Sequence, residues 1–200
     1  DCIIEENSGD VGGGAAEAEL NNCSLSGNSA NDSGGGAYNC TLTDCELIGN
    51  SADTGGGAYS GTLIDCELIE NMADYFGGGA SYSWMDRCLL KGNTAGGYGG
   101  GANAGALENC ALIGNTAGSQ GGGFYYNQGD SFTSQDDIQP MGAPLAYGAL
   151  NNCTLTGNSA PSGGGASGGE YGSTPVLNNC IVYFNQAQES PNYVYCELND

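Results

Sequence analysis

The amino-acid sequence predicts an all-β chain, a right-handed parallel β-helix (solenoid) of about eight to nine coils, ~22 residues per coil, with three short strands in each. Three observations predict it. A cysteine recurs at a nearly fixed interval, an asparagine follows each one at constant distance, and a glycine triplet closes most copies. An array with such a period must be read as stacked repeats before any local assignment is made.

Aligned on the cysteine, the copies read CIIEEN from Cys2, CSLSGN from Cys23, CELIGN from Cys45 and CELIEN from Cys66. CLLKGN follows from Cys88, CALIGN from Cys110, CTLTGN from Cys153 and CIVYFN from Cys180, and Cys196 opens a ninth copy. Successive cysteines are 21, 22, 21, 22, 22, 43, 27 and 16 residues apart. The cysteine and the residue two places on share parity, so on a strand both face inward. Five residues after each cysteine stands an asparagine: Asn7, Asn28, Asn50, Asn71, Asn93, Asn115, Asn158 and Asn185. Asparagine tolerates left-handed backbone and bonds its own neighbourhood, so it marks a turn. Stacked coils turn this residue into a ladder along the axis, with amides bonding from coil to coil. A second apolar column stands three residues before the next cysteine (Leu20, Leu42, Leu63, Met85, Leu107, Leu150 and Leu177).

No copy can bury its inner face alone, so the neighbours must do it, and the whole chain 1–200 is one domain. Helical repeats are excluded by the glycine triplet, since each glycine costs about 1 kcal/mol in a helix interior. Two copies carry insertions, at 125–148 and 167–175, both leaving the same corner of adjacent coils.

There are 23 acidic and 2 basic residues, a net charge of −21. Phosphate binding needs a basic footprint, so nucleic acid is not an expected partner. No stretch approaches the ~20 apolar residues of a membrane span. The first residue is Asp1, beside a motif cysteine, which suggests a processed chain or a piece of a longer one.

The paired signatures L-x-G-N (Leu25 to Asn28, Leu47 to Asn50, Leu112 to Asn115, Leu155 to Asn158) and G-G-A resemble the repeats of polymorphic outer-membrane proteins. They are similar also to large bacterial surface proteins of the pectate-lyase-like β-helix class. That resemblance implies an extracellular or cell-surface location. It does not imply catalysis, because one fold hosts many functions.

The candidate sites follow from the columns. The cysteines form either a buried apolar ladder or, between neighbours, disulfides. Without histidine or a C-x-x-C pair, a clustered metal site is not expected there. Asp10, Asp32, Asp53 and Asp74 follow the asparagine turn in successive copies, and Ca2+ would relieve their repulsion. No other cofactor is expected. Arg87 succeeds Asp65 in one column and should pair with it. The outward position three after the cysteine carries Ile48, Ile69, Ile113 and Tyr183, a lateral interface for another copy. The first insertion holds Tyr125, Tyr126, Phe132, Asp136 and Asp137, a ligand or partner contact of the kind that meets cell-surface glycan. Arg87 and Lys91 are the only bases, too few for the lyase chemistry the fold class implies, so no catalytic residue is assigned. The resulting expectation is a non-enzymatic structural or adhesive solenoid that associates end to end or laterally. The alternative is a carbohydrate-binding or polysaccharide-degrading module using the insertions.

Overall fold

The computed structural model describes residues 1–127, 148–169, 173–190, 192–194 and 197–199. Among these there is no helix, and the strands of successive coils pair in parallel. The chain is a parallel β-solenoid. The second coil shows the unit: Cys23–Ser26, Ser29–Ser33, Ala37–Tyr38 and Thr41–Thr43. Each complete coil therefore has four strands, not the three that alternation suggests. Strands as short as Ala37–Tyr38 or Ala58–Tyr59 leave no alternating pattern to detect.

Stacking builds four sheets. The cysteine-bearing sheet runs through eight coils, from Cys2–Glu5 to Ile181–Tyr183. The sheets after the glycines and before the next cysteine are likewise eight-stranded, ending at Tyr193–Val194 and Glu197–Asn199. The sheet after the asparagine turn has only six strands, Ser8–Val11 to Thr116–Ala117. Six coils are thus complete, and two more replace that strand with single bridges at Ser159, Ser162, Gln186 and Glu189. This is fewer than the eight to nine full coils expected. Pro161 lies between the bridges of the seventh coil, and proline has no N–H to give a ladder. Cys196, expected to open the ninth, lies outside the described residues.

Register follows the motif. Cys2 pairs with Cys23, Leu25 with Leu47, Leu68 with Leu90, and Leu112 with Leu155. Leu25, Leu47, Leu68, Leu90, Leu112 and Leu155 are fully buried, as are Leu42, Leu63, Met85, Leu107 and Leu150 from the facing column. These two stacks are the core.

Each glycine of the triplet has its own reason. Gly34 has φ +68°, a left-handed turn in which a side chain would also strike the Ala37 carbonyl. A Cβ on Gly35 would lie 2.2 Å from the Ser51 oxygen, and one on Gly36 would lie 2.6 Å from the Gly57 oxygen and 3.0 Å from Asn50 Nδ2. The triplet lets the chain pass flat against the asparagines.

Candidate functional site

The asparagine ladder is continuous from Asn7 to Asn185. Each Oδ1 from Asn28 onward accepts both the backbone N–H and the Nδ2 of the preceding rung, at 2.9–3.1 Å. The other Nδ2 proton goes to a carbonyl one coil back, as from Asn71 to Leu47 at 2.9 Å. The rungs from Asn28 to Asn158 are wholly buried or nearly so. Every amide proton and both oxygen lone pairs are used, which is what burial of a primary amide demands. The ladder has a direction: each rung donates toward the C-terminal coils and accepts from the N-terminal ones. At its first rung, Asn7 Oδ1 meets no donor among the described residues. At its last, Asn185 Nδ2 reaches Leu155 O at 3.0 Å and Asn192 Oδ1 at 3.4 Å.

The cysteine column occupies the opposite corner of the same sheet. Cys23, Cys45, Cys66, Cys88, Cys110 and Cys153 are buried, Cys180 is half-buried and Cys2 is exposed, and all eight are free thiols. Each buried Sγ donates to the carbonyl two residues back, as Cys110 does to Glu108 at 3.1 Å. Burial pushes the Cys45 thiol up to about 11. Cys40, outside the column, is also buried and free, and burial raises its thiol too.

The residue before each cysteine turns the corner with φ near +50°, as in Asn22, Asp44, Asp65, Arg87, Asn109, Asn152 and Asn179. These side chains are exposed. Arg87 holds Asp65 through two bonds, Nε to Oδ1 at 2.7 Å and Nη2 to Oδ2 at 2.8 Å, and also touches Asp86. The guanidinium keeps the Asp65 carboxyl below its usual range.

The four aspartates of the post-asparagine sheet lie where its register slips. Ala52 pairs with Ala73, but two residues on Thr54 pairs with Phe76, so Asp53 faces the stretch Asp74–Tyr75. Similar shifts fall between Gly9 and Val11 and between Ser51 and Thr54, around Asp10 and Asp32. Asp10 accepts from Asn31 Nδ2 at 2.9 Å. Among the described residues no three histidine, cysteine or acidic side chains gather as a metal site.

On the outer face of the cysteine-bearing sheet Ile48 pairs with Ile69, Ile69 with Lys91, Lys91 with Ile113, Ile113 with Thr156, and Thr156 with Tyr183. Ile48 and Ile69 are half-buried, and Ile113 and Tyr183 are exposed. Lys91 interrupts the apolar stripe. Of the insertion residues, Phe132, Asp136 and Asp137 lie outside the described residues. Tyr125 is buried in the strand Phe124–Tyr126, its ring 4.6 Å from that of Tyr98, and Tyr126 is half-buried. Composition did not reveal the aromatic stacks, Tyr38 on Tyr59 at 5.5 Å and Phe76 on Tyr98 at 5.6 Å. The period contains the signal for the first, because both tyrosines directly follow G-G-G-A.

No family model matches this chain, and neither the curated proteins nor the solved structures compared with it give a match. Among the described residues no helix is long and apolar enough to cross a membrane.

Proposed function

We propose that this chain is a structural solenoid of the extracellular or cell-surface kind, adhesive or filament-forming, and not an enzyme. The observation that carries the reading is the direction of the asparagine ladder. Its first rung offers an oxygen that two N–H donors fill in every later coil, and its last rung meets no further rung among the described residues, its Nδ2 turning instead to Leu155 O at 3.0 Å and Asn192 Oδ1 at 3.4 Å. The coil around Asn7 also keeps Ile4, Ala15, Ala18 and Leu20 only half-buried against the core. What fits is one more coil in the same register, supplied by adjoining chain of a longer polypeptide or by another copy, and this reading takes the last coil of a second copy. Each ladder bond so gained contributes ~1 kcal/mol, and covering the half-buried residues adds burial. Such a head-to-tail contact is heterologous and grows as a filament unless it closes. The net charge of −21 opposes it, so salt or a divalent cation should promote it.

Sedimentation velocity and negative-stain microscopy over a concentration series, without and with NaCl and Ca2+, test this. Polymers that lengthen with added salt are expected. A monomer under all conditions overturns the filament, and a monomer that binds soluble glycan favours the carbohydrate module.

A further inference from the structure

We propose that the cysteine column binds soft monovalent metal ions, Cu(I) or Ag(I), each held in line between thiolates of adjoining coils. The first ground is register. The backbones beside the column bond coil to coil, Leu89 N to Cys66 O, Ala111 N to Cys88 O, Thr154 N to Cys110 O and Ile181 N to Cys153 O, each at 2.9–3.0 Å. Equivalent atoms are therefore one coil apart, ~4.8 Å. The side chains leave in parallel, so the Cβ atoms share that spacing. A disulfide wants Cβ atoms ~3.5–4.5 Å apart and sulfurs ~2.05 Å apart, which this backbone does not offer without moving. Two metal–thiolate bonds of ~2.3 Å laid end to end span ~4.6 Å. The spacing that is too long for S–S fits S–M–S.

The second ground is that the thiols take the same orientation in every coil, so that each stacks on the next. In successive coils Cys66 Sγ lies on the carbonyls of Ile64 and Leu42, Cys88 on those of Asp86 and Leu63, Cys110 on those of Glu108 and Met85, and Cys153 on those of Asn151 and Leu107, at 3.1–3.7 Å. The third is charge. An unneutralised thiolate cannot stay in so dry a column, but one monovalent ion per thiolate leaves the run neutral. A divalent ion such as Zn2+ wants four ligands in a tetrahedron, and the described residues provide no such cluster. Soft thiolate ligands select Cu(I) among biological metals. The route in is short, because the residue directly before each buried cysteine (Asp44, Asp65, Asn109 and Asn152 among them) is exposed. In the binding step an S–H bond breaks, the metal bonds that sulfur and its neighbour in the next coil, and one proton leaves per metal. No electron is transferred.

Silver(I) is the probe, titrated as the nitrate in chloride-free buffer onto the reduced, folded chain. Native mass spectrometry counts the ions, and a weakly buffered pH reading counts protons. The eight described column cysteines, Cys2 to Cys180, make seven neighbouring pairs and predict at least seven silver ions, each releasing one proton. Cys110→Ala, inside the run, should lower the count by two. Cys2→Ala, at its end, should lower it by one, and Cys40→Ala, outside the column, by none. Cys110→Ser repeats the first measurement with almost unchanged volume, and far-UV circular dichroism checks that each variant is folded. The proposal is overturned if all three positions cost the same number of ions, or if silver enters only after denaturation. It is overturned equally if the bound ions release no protons.

Discussion

Two corners of each coil carry a left-handed or turn residue at a fixed place, yet one keeps its identity and the other does not. The first is asparagine in all eight coils. The second, the residue before each cysteine, reads Asn22, Asp44, Asp65, Arg87, Asn109, Asn152 and Asn179. Backbone demand does not separate them, since the variable corner holds φ near +50° with aspartate and arginine as readily as with asparagine. Burial does. The side chain at the first corner points inward, where each of its polar atoms must find protein, and only a second asparagine one coil away presents matching donors and acceptors. At the second corner Asn152 bonds Asn109 at 3.3 Å and Asn179 bonds Asn152 at 2.7 Å, but these side chains are exposed, so solvent can satisfy another residue in their place. A ladder that keeps one residue through every coil therefore marks buried hydrogen-bonding, and a position that keeps it in some coils only does not.

The hardest way to break this contrast is Asn71→Ala. It removes the acceptor for Asn50 N–H and Nδ2, the donor to Leu47 O and the partner of Asn93 Oδ1. Buried groups left unmet cost ~1–3 kcal/mol each, so a loss of about 3–5 kcal/mol in urea unfolding is expected. Asn109→Ala at the exposed corner should change the same measurement by less than ~0.5 kcal/mol. Comparable losses at both corners would show that burial is not what distinguishes them.

Next in size is a pair of glycines. A Cβ on Gly79 meets the Gly101 oxygen at 2.6 Å and Asn93 Nδ2 at 3.0 Å, whereas one on Gly114 meets nothing within 4 Å. Gly114 has φ +65°, but Glu70 and Phe184 occupy the same turn in other coils at φ 54°. Gly114→Ala should thus cost about 1 kcal/mol. Gly79→Ala should cost several times more, and thermal melts of the two variants compare them directly.

These particulars explain what the sequence made legible. The period, the leucine stacks and the asparagine ladder were readable because buried columns repeat the same residue type. Less visible were the strands of two residues and the register slip between Ala52 and Thr54. The reduced second sheet near Pro161 escaped for the same reason, since each depends on one or two residues inside a single coil. Among the candidate contacts, Tyr125 reads as an available aromatic beside carboxylates, yet it is buried against Tyr98. Tyr98 stands 27 residues earlier, and the two are brought together by coil stacking alone.

The thiol column gives a smaller effect through pH. Cys45 is held at about 11 by burial, against 9.0 for a free thiol. The folded chain thus binds this proton more tightly than the unfolded one, so the contribution is complete below pH 9. It is lost as pH rises through 11. Unfolding midpoints should therefore be flat toward neutral pH on this account and fall between about 9 and 11. Cys45→Ala should flatten that fall. A profile unchanged by the substitution would place the alkaline loss elsewhere.

The smallest expected effect is that of Arg87→Ala. Arg87 is half-exposed, and water screens its double bond to Asp65, so as an isolated pair it contributes little. Its setting adds something else. Asp65 and Asp86 both lie on this guanidinium, Asn109 bonds Asp86 from the following coil, and the chain has only one other basic residue, Lys91. Removing the positive charge leaves two carboxylates close together on an already acidic surface. Their repulsion acts through solvent and falls within a Debye length of ~10 Å at 0.1 M salt and ~3 Å at 1 M. The variant should therefore melt slightly below the parent at low ionic strength and together with it in 1 M NaCl. Lowering the pH should also erase the difference, because the depressed Asp65 carboxyl helps the fold above the ordinary carboxylate range and loses that role as it protonates. A deficit that survives both high salt and acid would mean that Arg87 acts through the packing of its stem on the coil below, and the exposed corner would then be less tolerant than its varied residues suggest.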